Sequence, residues 1–195
     1  ICAGIISRLS LHEQYYDKFA TGDVLKVLLE LSSIDDRLTQ RRVVIALSNL
    51  SHSDVLCQKL LQLSPIAYIV SLASERDESL RRGCISIVCN MSYRPGAEKA
   101  IVQGGIVPTL MITSLITSDQ VFSRVICVKA LVNLMADRSL YASMVKDGVI
   151  WGLSKLALTE DDELQELSAL ALCRLSCAFA REIINSSVAK TTVMR

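Results

Sequence analysis

Apolar residues recur along the chain at intervals of three and four residues. One example is formed by Val43, Ala46, Leu47 and Leu50. Because successive residues of an α-helix are rotated by about 100°, residues at this spacing lie on one face of a helix. No stretch shows the strict alternation of a half-buried strand. The pattern predicts an all-α chain.

The helical segments repeat at a nearly constant interval. Five segments share a template in which an aliphatic run leads to one polar residue and then to Leu or Met. We call these polar residues the mark positions; their successive separations are 41, 41, 43 and 41 residues. A register kept over four intervals indicates stacked copies of one unit. The mark positions are Arg8, Asn49, Asn90, Asn133 and Arg174.

Each interval contains its own helix breaker, fifteen residues after the mark. The breaker positions hold Asp23, Ser64, Gly105 and Gly148. The pattern therefore predicts three helices in each unit: a short first helix, a second helix after the breaker and a longer third helix that ends near the mark. The predicted units are 11–51, 52–92, 93–135 and 136–176, with the end of a third helix at 1–10 and an incomplete unit at 177–195.

Acidic residues open the predicted third helices. Carboxylates there oppose the positive end of the helix dipole, and the spacing of capping boxes is found at Ser33/Asp36, Ser74/Asp77 and Thr159/Asp162. Arginines follow in the same helices, and we expect them to pair with these acids. A track for phosphate or nucleic acid is the alternative, which scarce aromatic residues make weaker. These arginines are Arg41, Arg81, Arg82 and Arg124.

Composition and charge exclude several function classes. Of the 195 residues, 51% are hydrophobic but only 5% aromatic, which suits closely packed aliphatic helices. The net charge of +1 excludes a strongly basic protein that binds nucleic acid through bulk charge. The 7 Cys lack the spacing of a disulfide framework and indicate a reducing compartment. We expect a cytoplasmic location, with a nuclear or cytoskeleton-associated one as the alternative.

Residues that carry catalysis or hold a cofactor are scarce. His12 and His52 are the two histidines, and both are expected at the surface. The cysteines lack the close paired spacing of zinc modules. Gly104-Gly105 is not followed by the Lys-Ser/Thr of a phosphate loop.

The uncharged stretch 100–118 contains these glycines and Pro108, which argues against a membrane span. We expect no enzyme, no cofactor and no metal.

The repeat resembles the armadillo repeat family in its length of about 41 residues, its glycine turn and its Asn near the end of the third helix. Residues 103–108, Gln-Gly-Gly-Ile-Val-Pro, resemble the family's turn into the second helix, and residues 46–51, Ala-Leu-Ser-Asn-Leu-Ser, the end of its third helix. The resemblance covers about 4–185. It implies a right-handed superhelical α-solenoid of three-helix repeats, whose third helices line a concave groove. Two-helix solenoids of the HEAT type are the structural alternative.

The resemblance also implies a binding function. In armadillo proteins, Asn residues of the third helices grip an extended peptide, because a carboxamide can accept from a peptide N–H and donate to a peptide C=O. Asn49, Asn90 and Asn133 match that position. The alternative is that each Asn only hydrogen-bonds the backbone of a neighbouring turn.

Residues four and seven before a mark share its helix face. Import adaptors of the family carry Trp four residues before the mark, whereas this chain has no aromatic residue there. Cations lie on the face instead, so we expect a protein partner with an extended, partly acidic segment rather than a basic localisation signal. The residues four before the marks are Ile45, Ser86, Lys129 and Leu170. The candidate binding residues are Asn49, Asn90, Asn133, Arg42, Ser86, Lys129, Arg8 and Arg174.

A second function class stays open alongside this binding module. The chain is then a structural scaffold element of a larger cytoskeletal or ciliary assembly, with contacts through its convex faces.

Trp151 is expected in the core beneath a second helix, with an exposed partner anchor as the alternative. Because the chain opens on Ile1 and its last unit is incomplete, we expect flanking repeats of the same chain to cover its ends.

Overall fold

The computed structural model describes residues 1–116 and 121–193, and their side chains except those of 114, 116 and 181–193. Within these ranges the chain forms α-helices and two short 3-10 turns, without a strand. The first helices of the units are α2 (Tyr16–Thr21), α5 (Asp54–Gln62), α8 (Glu98–Gln103) and α11 (Tyr141–Lys146). The second helices are α3 (Val24–Ser32), α6 (Ile66–Ala73), α9 (Ile106–Ile116) and α12 (Val149–Leu156). The third helices are α1 (Cys2–Leu9), α4 (Arg37–Leu50), α7 (Glu78–Ser92), α10 (Val121–Leu134) and α13 (Asp162–Val193).

An aspartate caps three of the third helices at the N-terminus. Asp36 accepts from the backbone N–H of Thr39 at 2.9 Å, and Asp77 accepts from that of Leu80 at 3.2 Å. Asp161 caps α13 in the same way. Each bond satisfies an amide that lacks a partner within the helix. The acidic residues therefore have the capping role that the sequence predicts.

The predicted capping boxes name the wrong residue as the cap. Ser33, Ser74 and Thr159 instead follow the preceding second helix. Ser33 and Ser74 are its C-terminal caps, and the hydroxyl of Thr159 donates to the carbonyl of Leu156 at 2.8 Å. In the loops 33–36 and 74–77, the serine at the first position therefore caps the preceding helix, and the aspartate three residues later caps the next one.

The turn between the first and second helices uses left-handed backbone. Gly105 and Gly148 have φ of 84° and 88°, and Ser64 at the equivalent position has φ of 52°. Glycine has no Cβ and adopts this region at little cost, which explains its choice here. Asp23 makes the first turn differently, with φ of −80°. The breaker predicted from the register is thus a real turn at all four positions.

Consecutive third helices pack against each other along most of their length and form one layer. Consecutive second helices touch less extensively. Following the concave side that the armadillo resemblance implies for the third helices, we call their layer the inner layer. Gly83 makes one approach possible, because a Cβ at this position would overlap the Val44 side chain. One continuous core of aliphatic residues runs between the layers.

The second helix of the unit with the 43-residue interval, α9, has 11 residues, against 8 or 9 in the other second helices. Two features of the sequence prediction differ from the structure. The last third helix does not end near residue 176 but continues to Val193 as part of α13. Trp151 is not in the core: it is 63% exposed on α12, so its core assignment was wrong.

Buried cysteines act as small core residues. Cys84 and Cys127 occupy equivalent repeat positions, and both are almost fully buried. Burial raises the pKa of the Cys84 thiol to about 12, which removes its reactivity near neutral pH. Cys173 is exposed, although it is equivalent to the buried Cys89.

Of the described helices, none alone has the length and apolarity to cross a membrane; α5 and α6 together meet these criteria, but with a 93° bend between them.

Candidate functional site

The three mark asparagines make the same hydrogen bond. Each carboxamide Nδ2 donates to the hydroxyl of a serine in the preceding repeat. Asn49 bonds Ser10 at 3.0 Å, Asn90 bonds Ser51 at 2.8 Å, and Asn133 bonds Ser92 at 3.0 Å. We call each such pair an Asn–Ser rung. The rungs connect the C-terminal ends of consecutive third helices.

The serines of the rungs are buried, and each hydroxyl both accepts and donates a hydrogen bond. Ser51 Oγ donates to the carbonyl of Ser48 at 2.7 Å while it accepts from Asn90. The same donation, to the carbonyl three residues earlier, is made by Ser10 and Ser92. Because the hydroxyl hydrogen is committed to this carbonyl, the oxygen faces the next repeat as an acceptor. Each rung therefore fixes one of the two Nδ2 hydrogens of its Asn.

The last mark residue follows a different pattern for an identifiable reason. The position that holds serine in the other repeats is Met135 here, two residues after Asn133. A thioether offers only a weak acceptor. Arg174 occupies the mark and donates through Nη1 to the backbone carbonyl of Val132 at 2.9 Å. The longer, donor-rich side chain thus reaches a backbone acceptor where no serine is present.

The mark asparagines keep hydrogen-bonding capacity for a ligand. Asn49, Asn90 and Asn133 are partly exposed. Within the described part of the chain, no group donates to their Oδ1 atoms. His52 Nδ1 lies 3.4 Å from the carboxamide nitrogen of Asn90, but it donates its hydrogen to the carbonyl of Ser48 at 2.9 Å and so has no lone pair to accept from Asn90. Each Asn can therefore still accept once through Oδ1 and donate once through the second Nδ2 hydrogen. These are the two groups that an extended backbone requires.

Lys129 does not present a free charge to the inner surface. Its Nζ lies 2.7 Å from Oε1 of Glu163, which belongs to the next third helix. The hydrogen bond that Lys129 Nζ donates to Glu163 raises the pKa of Lys129. The sequence prediction considered the residues of each helix separately and missed this acid, because the pairing partner lies 34 residues away.

The other predicted cations and Ser86 have distinct surroundings. The guanidinium of Arg42 lies over Gly4, where a Cβ would stand 3.2 Å from Cζ. Arg8 is exposed nearby, and both arginines line one cavity of about 320 Å³. Ser86 Oγ donates to the carbonyl of Arg82 at 3.0 Å and so is directed to its own helix. The predicted residues thus share the inner layer, but they do not form a single cluster.

A cavity of about 350 Å³ lies next to the last Asn–Ser rung. Asn133, Ser92 and Arg174 line it together with Tyr93 and Pro95. Tyr93 and Pro95 are exposed and give the cavity an apolar wall. Such a combination can receive one side chain of a bound segment beside the row of carboxamides. Two apolar mark-minus-four residues, Ile45 and Leu170, are also exposed on the inner helices.

The serine of each rung is a site residue that the sequence analysis did not single out. Its signal was nevertheless present: serine stands two residues after a mark wherever the next mark is Asn, and Met stands there before Arg174. His12 and His52 are exposed as expected. In the described ranges, no group of three or more potential ligands is arranged to hold a metal ion.

Solved armadillo-repeat structures share this fold. Computationally designed armadillo repeat proteins for modular peptide recognition superpose with a TM-score of 0.78 at 16% identity, over 88% of this chain and 73% of theirs. A designed armadillo repeat protein in complex with peptide (KR)4 gives 0.74 at 17% identity, over 87% and 72% of the two chains.

A natural protein shows the same likeness. The armadillo-repeats-only protein of Plasmodium falciparum matches with a TM-score of 0.74 at 18% identity, over 89% of this chain and 78% of its own. No protein-family model and no curated protein matches the sequence. At these identities the comparisons establish the fold alone: the chain has the armadillo-repeat fold, an all-α solenoid.

Proposed function

We propose that this armadillo-repeat solenoid is a non-enzymatic binding module that holds an extended protein segment along its third helices. The carrying observation is the row of three asparagines, each oriented by a rung and each with an unused donor and acceptor. The fold likeness to designed peptide-binding repeats supports a peptide or protein partner.

The spacing of the asparagines suits an extended backbone. Packed helices lie about 8–10 Å apart, and an extended chain advances about 3.3 Å per residue. Consecutive asparagines would therefore meet backbone groups two to three residues apart. A segment of roughly seven residues spans the three positions. Side chains between these contacts could use the cavity beside Asn133.

The chemistry of the partner follows from the charges that stay available. Arg8 and Arg42 lie at one end of the row, and Arg174 lies at the other, whereas Lys129 is neutralised by Glu163. We therefore propose acidic residues near the two ends of the bound segment, with neutral residues at its centre. This is narrower than a generally acidic partner. A cytoplasmic location of the protein stays a prediction from the sequence.

Selection from a seven-residue peptide library tests the proposal. Peptides that bind the chain are measured by calorimetry against the triple variant Asn49→Ala, Asn90→Ala, Asn133→Ala, after circular dichroism shows that it is folded. We expect a loss of affinity of at least tenfold, because three backbone contacts are removed. Selected peptides should also carry Asp or Glu toward their ends.

A matched control separates binding from stability. The variant Ser10→Ala, Ser51→Ala, Ser92→Ala breaks the same three rungs but keeps every carboxamide. We expect it to retain more affinity than the asparagine variant. Equal affinity of the wild type and the asparagine variant for every selected peptide would refute binding at this row.

A second candidate function is a scaffold that contacts partners through its second helices. Exposed apolar side chains on that layer favour it, namely Trp151 at 63% and Ile112 at 56% exposure. Exposed aromatic residues are frequent anchors of protein interfaces. A partner that tolerates the asparagine variant but is lost on Trp151→Ala would support this scaffold function in place of the peptide-binding one.

A further inference from the structure

A third cavity, of about 730 Å³, lies at the opposite end of the third helices from the mark positions. Arg37 and Arg41 line it from the first turns of α4, and Arg82 lines it from α7. Arg41 and Arg82 occupy the same repeat position, 41 residues apart. Arg76 completes the cavity from the loop before α7. Two consecutive repeats thus place four guanidinium groups around one space.

Two of these arginines are already paired. Arg37 lies 3.1 Å from Glu75, and Arg41 lies 2.8 Å from Asp77, as the sequence predicts for Arg41. Asp77 is held in place because it also caps α7. Among the side chains that the structure describes, no carboxylate lies within ion-pair distance of Arg76 or Arg82. Both of these side chains are exposed and available to a ligand.

The lining carries an excess of positive charge, which favours an anion. Four arginines line the cavity with two carboxylates, those of Asp77 and Glu78, which leaves two positive charges in excess. One charge remains in excess when Glu75 is counted as well. A phosphate monoester carries a charge of about −1.5 to −2 at neutral pH and three acceptor oxygens, whereas a carboxylate carries one charge. Guanidinium groups bind phosphate oxygens in a bidentate manner.

The size and place of the cavity favour a phosphate attached to a polypeptide. A phosphate group alone fills a small part of a cavity of this volume. The space also admits the side chain and backbone that carry it. The cavity lies between the third helices of consecutive repeats, in the same layer as the asparagine row. An extended segment can enter this space.

We propose that the cavity between α4 and α7 binds a phosphorylated side chain of a protein segment. Arg76 and Arg82 hold the phosphate, and Arg37 and Arg41 contribute the donors that Glu75 and Asp77 leave unused. The site is separate from the asparagine row, because Arg82 lies eight residues before Asn90, about 12 Å along the helix axis. It does not require that the row bind a peptide.

A short phosphopeptide tests this site. The probe is a heptapeptide of Gly and Ser with one central phosphoserine, measured by calorimetry at low salt beside its unphosphorylated form. We expect the phosphopeptide to bind at least tenfold more tightly. The double variant Arg76→Gln, Arg82→Gln should lose at least tenfold of that affinity. Both side chains are exposed, so the variant is expected to fold, and circular dichroism checks this.

Two controls assign the result to this cavity. Arg138→Gln removes an exposed arginine elsewhere and should leave binding of the phosphopeptide unchanged. The triple asparagine variant should also bind it normally, which separates this proposal from the peptide-binding row. Equal binding of the two peptides, or no effect of the double variant, would overturn the proposal.

Further probes decide the source of the phosphate. Inorganic phosphate that binds as tightly as the phosphopeptide would overturn the requirement for a polypeptide. Vesicles that contain a phosphoinositide, bound in the absence of phosphopeptide binding, would assign the cavity to a membrane and also overturn the proposal. Weaker binding of both than of the phosphopeptide supports it.

Discussion

The rung between Asn90 and Ser51 gives the sharpest test of how the repeats are coupled. Asn90 donates to Ser51 Oγ at 2.8 Å, and Ser51 is fully buried. A hydrogen bond of this kind contributes about 1 kcal/mol, with a range of roughly 0.5–1.5 kcal/mol. Asn90 is partly exposed, so water can solvate its carboxamide when the serine is lost. We therefore expect a coupling near the middle of that range rather than a large one.

A double-mutant cycle measures this coupling. Ser51→Ala, Asn90→Ala and the double variant are unfolded with urea and followed by circular dichroism, and equal m-values are required before the free energies are compared. The two single changes should together cost about 1 kcal/mol more than the double change. For a chain of this size, each kcal/mol of lost stability lowers the melting temperature by roughly 2–4 °C. Ser51→Ala alone, which removes a hydrogen bond worth about 1 kcal/mol, should therefore lower the melting temperature by about that much.

A matched serine shows whether the effect belongs to the rung. Ser154 Oγ donates to the carbonyl of Ile150 in its own helix, as Ser51 does to Ser48, but it is exposed and accepts from no Asn. Ser154→Ala should change stability by less than about 0.5 kcal/mol. A coupling between Ser51 and Asn90 below about 0.3 kcal/mol, within the error of additivity, would refute the reasoning.

Three further changes test other contacts. Gly83→Ala should destabilise the chain by about 1–3 kcal/mol in urea unfolding, because the new methyl group overlaps the stiff Val44 side chain between inner helices. Burial by itself raises the pKa of Asp77, but hydrogen bonds from a guanidinium and from backbone amides outweigh it and hold the pKa below the usual 3.8. The ionised carboxylate therefore stabilises the fold above about pH 4, and this stabilisation is lost as the pH falls through the lowered pKa. The melting temperature of Asp77→Asn should lie below that of the wild type at neutral pH, and the difference should shrink in acid. The exposed Lys129–Glu163 pair should show a coupling of at most about 1 kcal/mol in a double-mutant cycle, and high salt should reduce it.

Each of these tests has a result that contradicts it. Gly22→Ala is the control for Gly83, since its nearest neighbour would stand at 3.4 Å; equal costs for the two changes would refute the steric argument. A deficit of Asp77→Asn that does not change between neutral and acid pH would show that the lowered pKa contributes nothing to stability. A coupling of Lys129 with Glu163 that is insensitive to salt would contradict the exposed character of this pair.

The sequence predicted the architecture because each repeat is built from local signals. Periodic apolar residues gave the helices, and breakers such as Gly105 and Gly148 gave the turns between them. The 41-residue register gave the stacking, since a unit of this size buries its apolar face only against its neighbours. The same register identified the row of Asn49, Asn90 and Asn133.

Only the tertiary structure decided what these side chains contact, because each partner comes from another repeat. The Ser51 hydroxyl reaches Asn90 across 39 residues, and Glu163 reaches Lys129 across 34. Trp151 is exposed although its residue type suggested the core, since burial depends on what the neighbouring helix covers. Helix periodicity is a property of consecutive residues and can be read from one segment. Hydrogen-bond partners, charge pairing and cavities depend on the distance between segments, which folding alone sets.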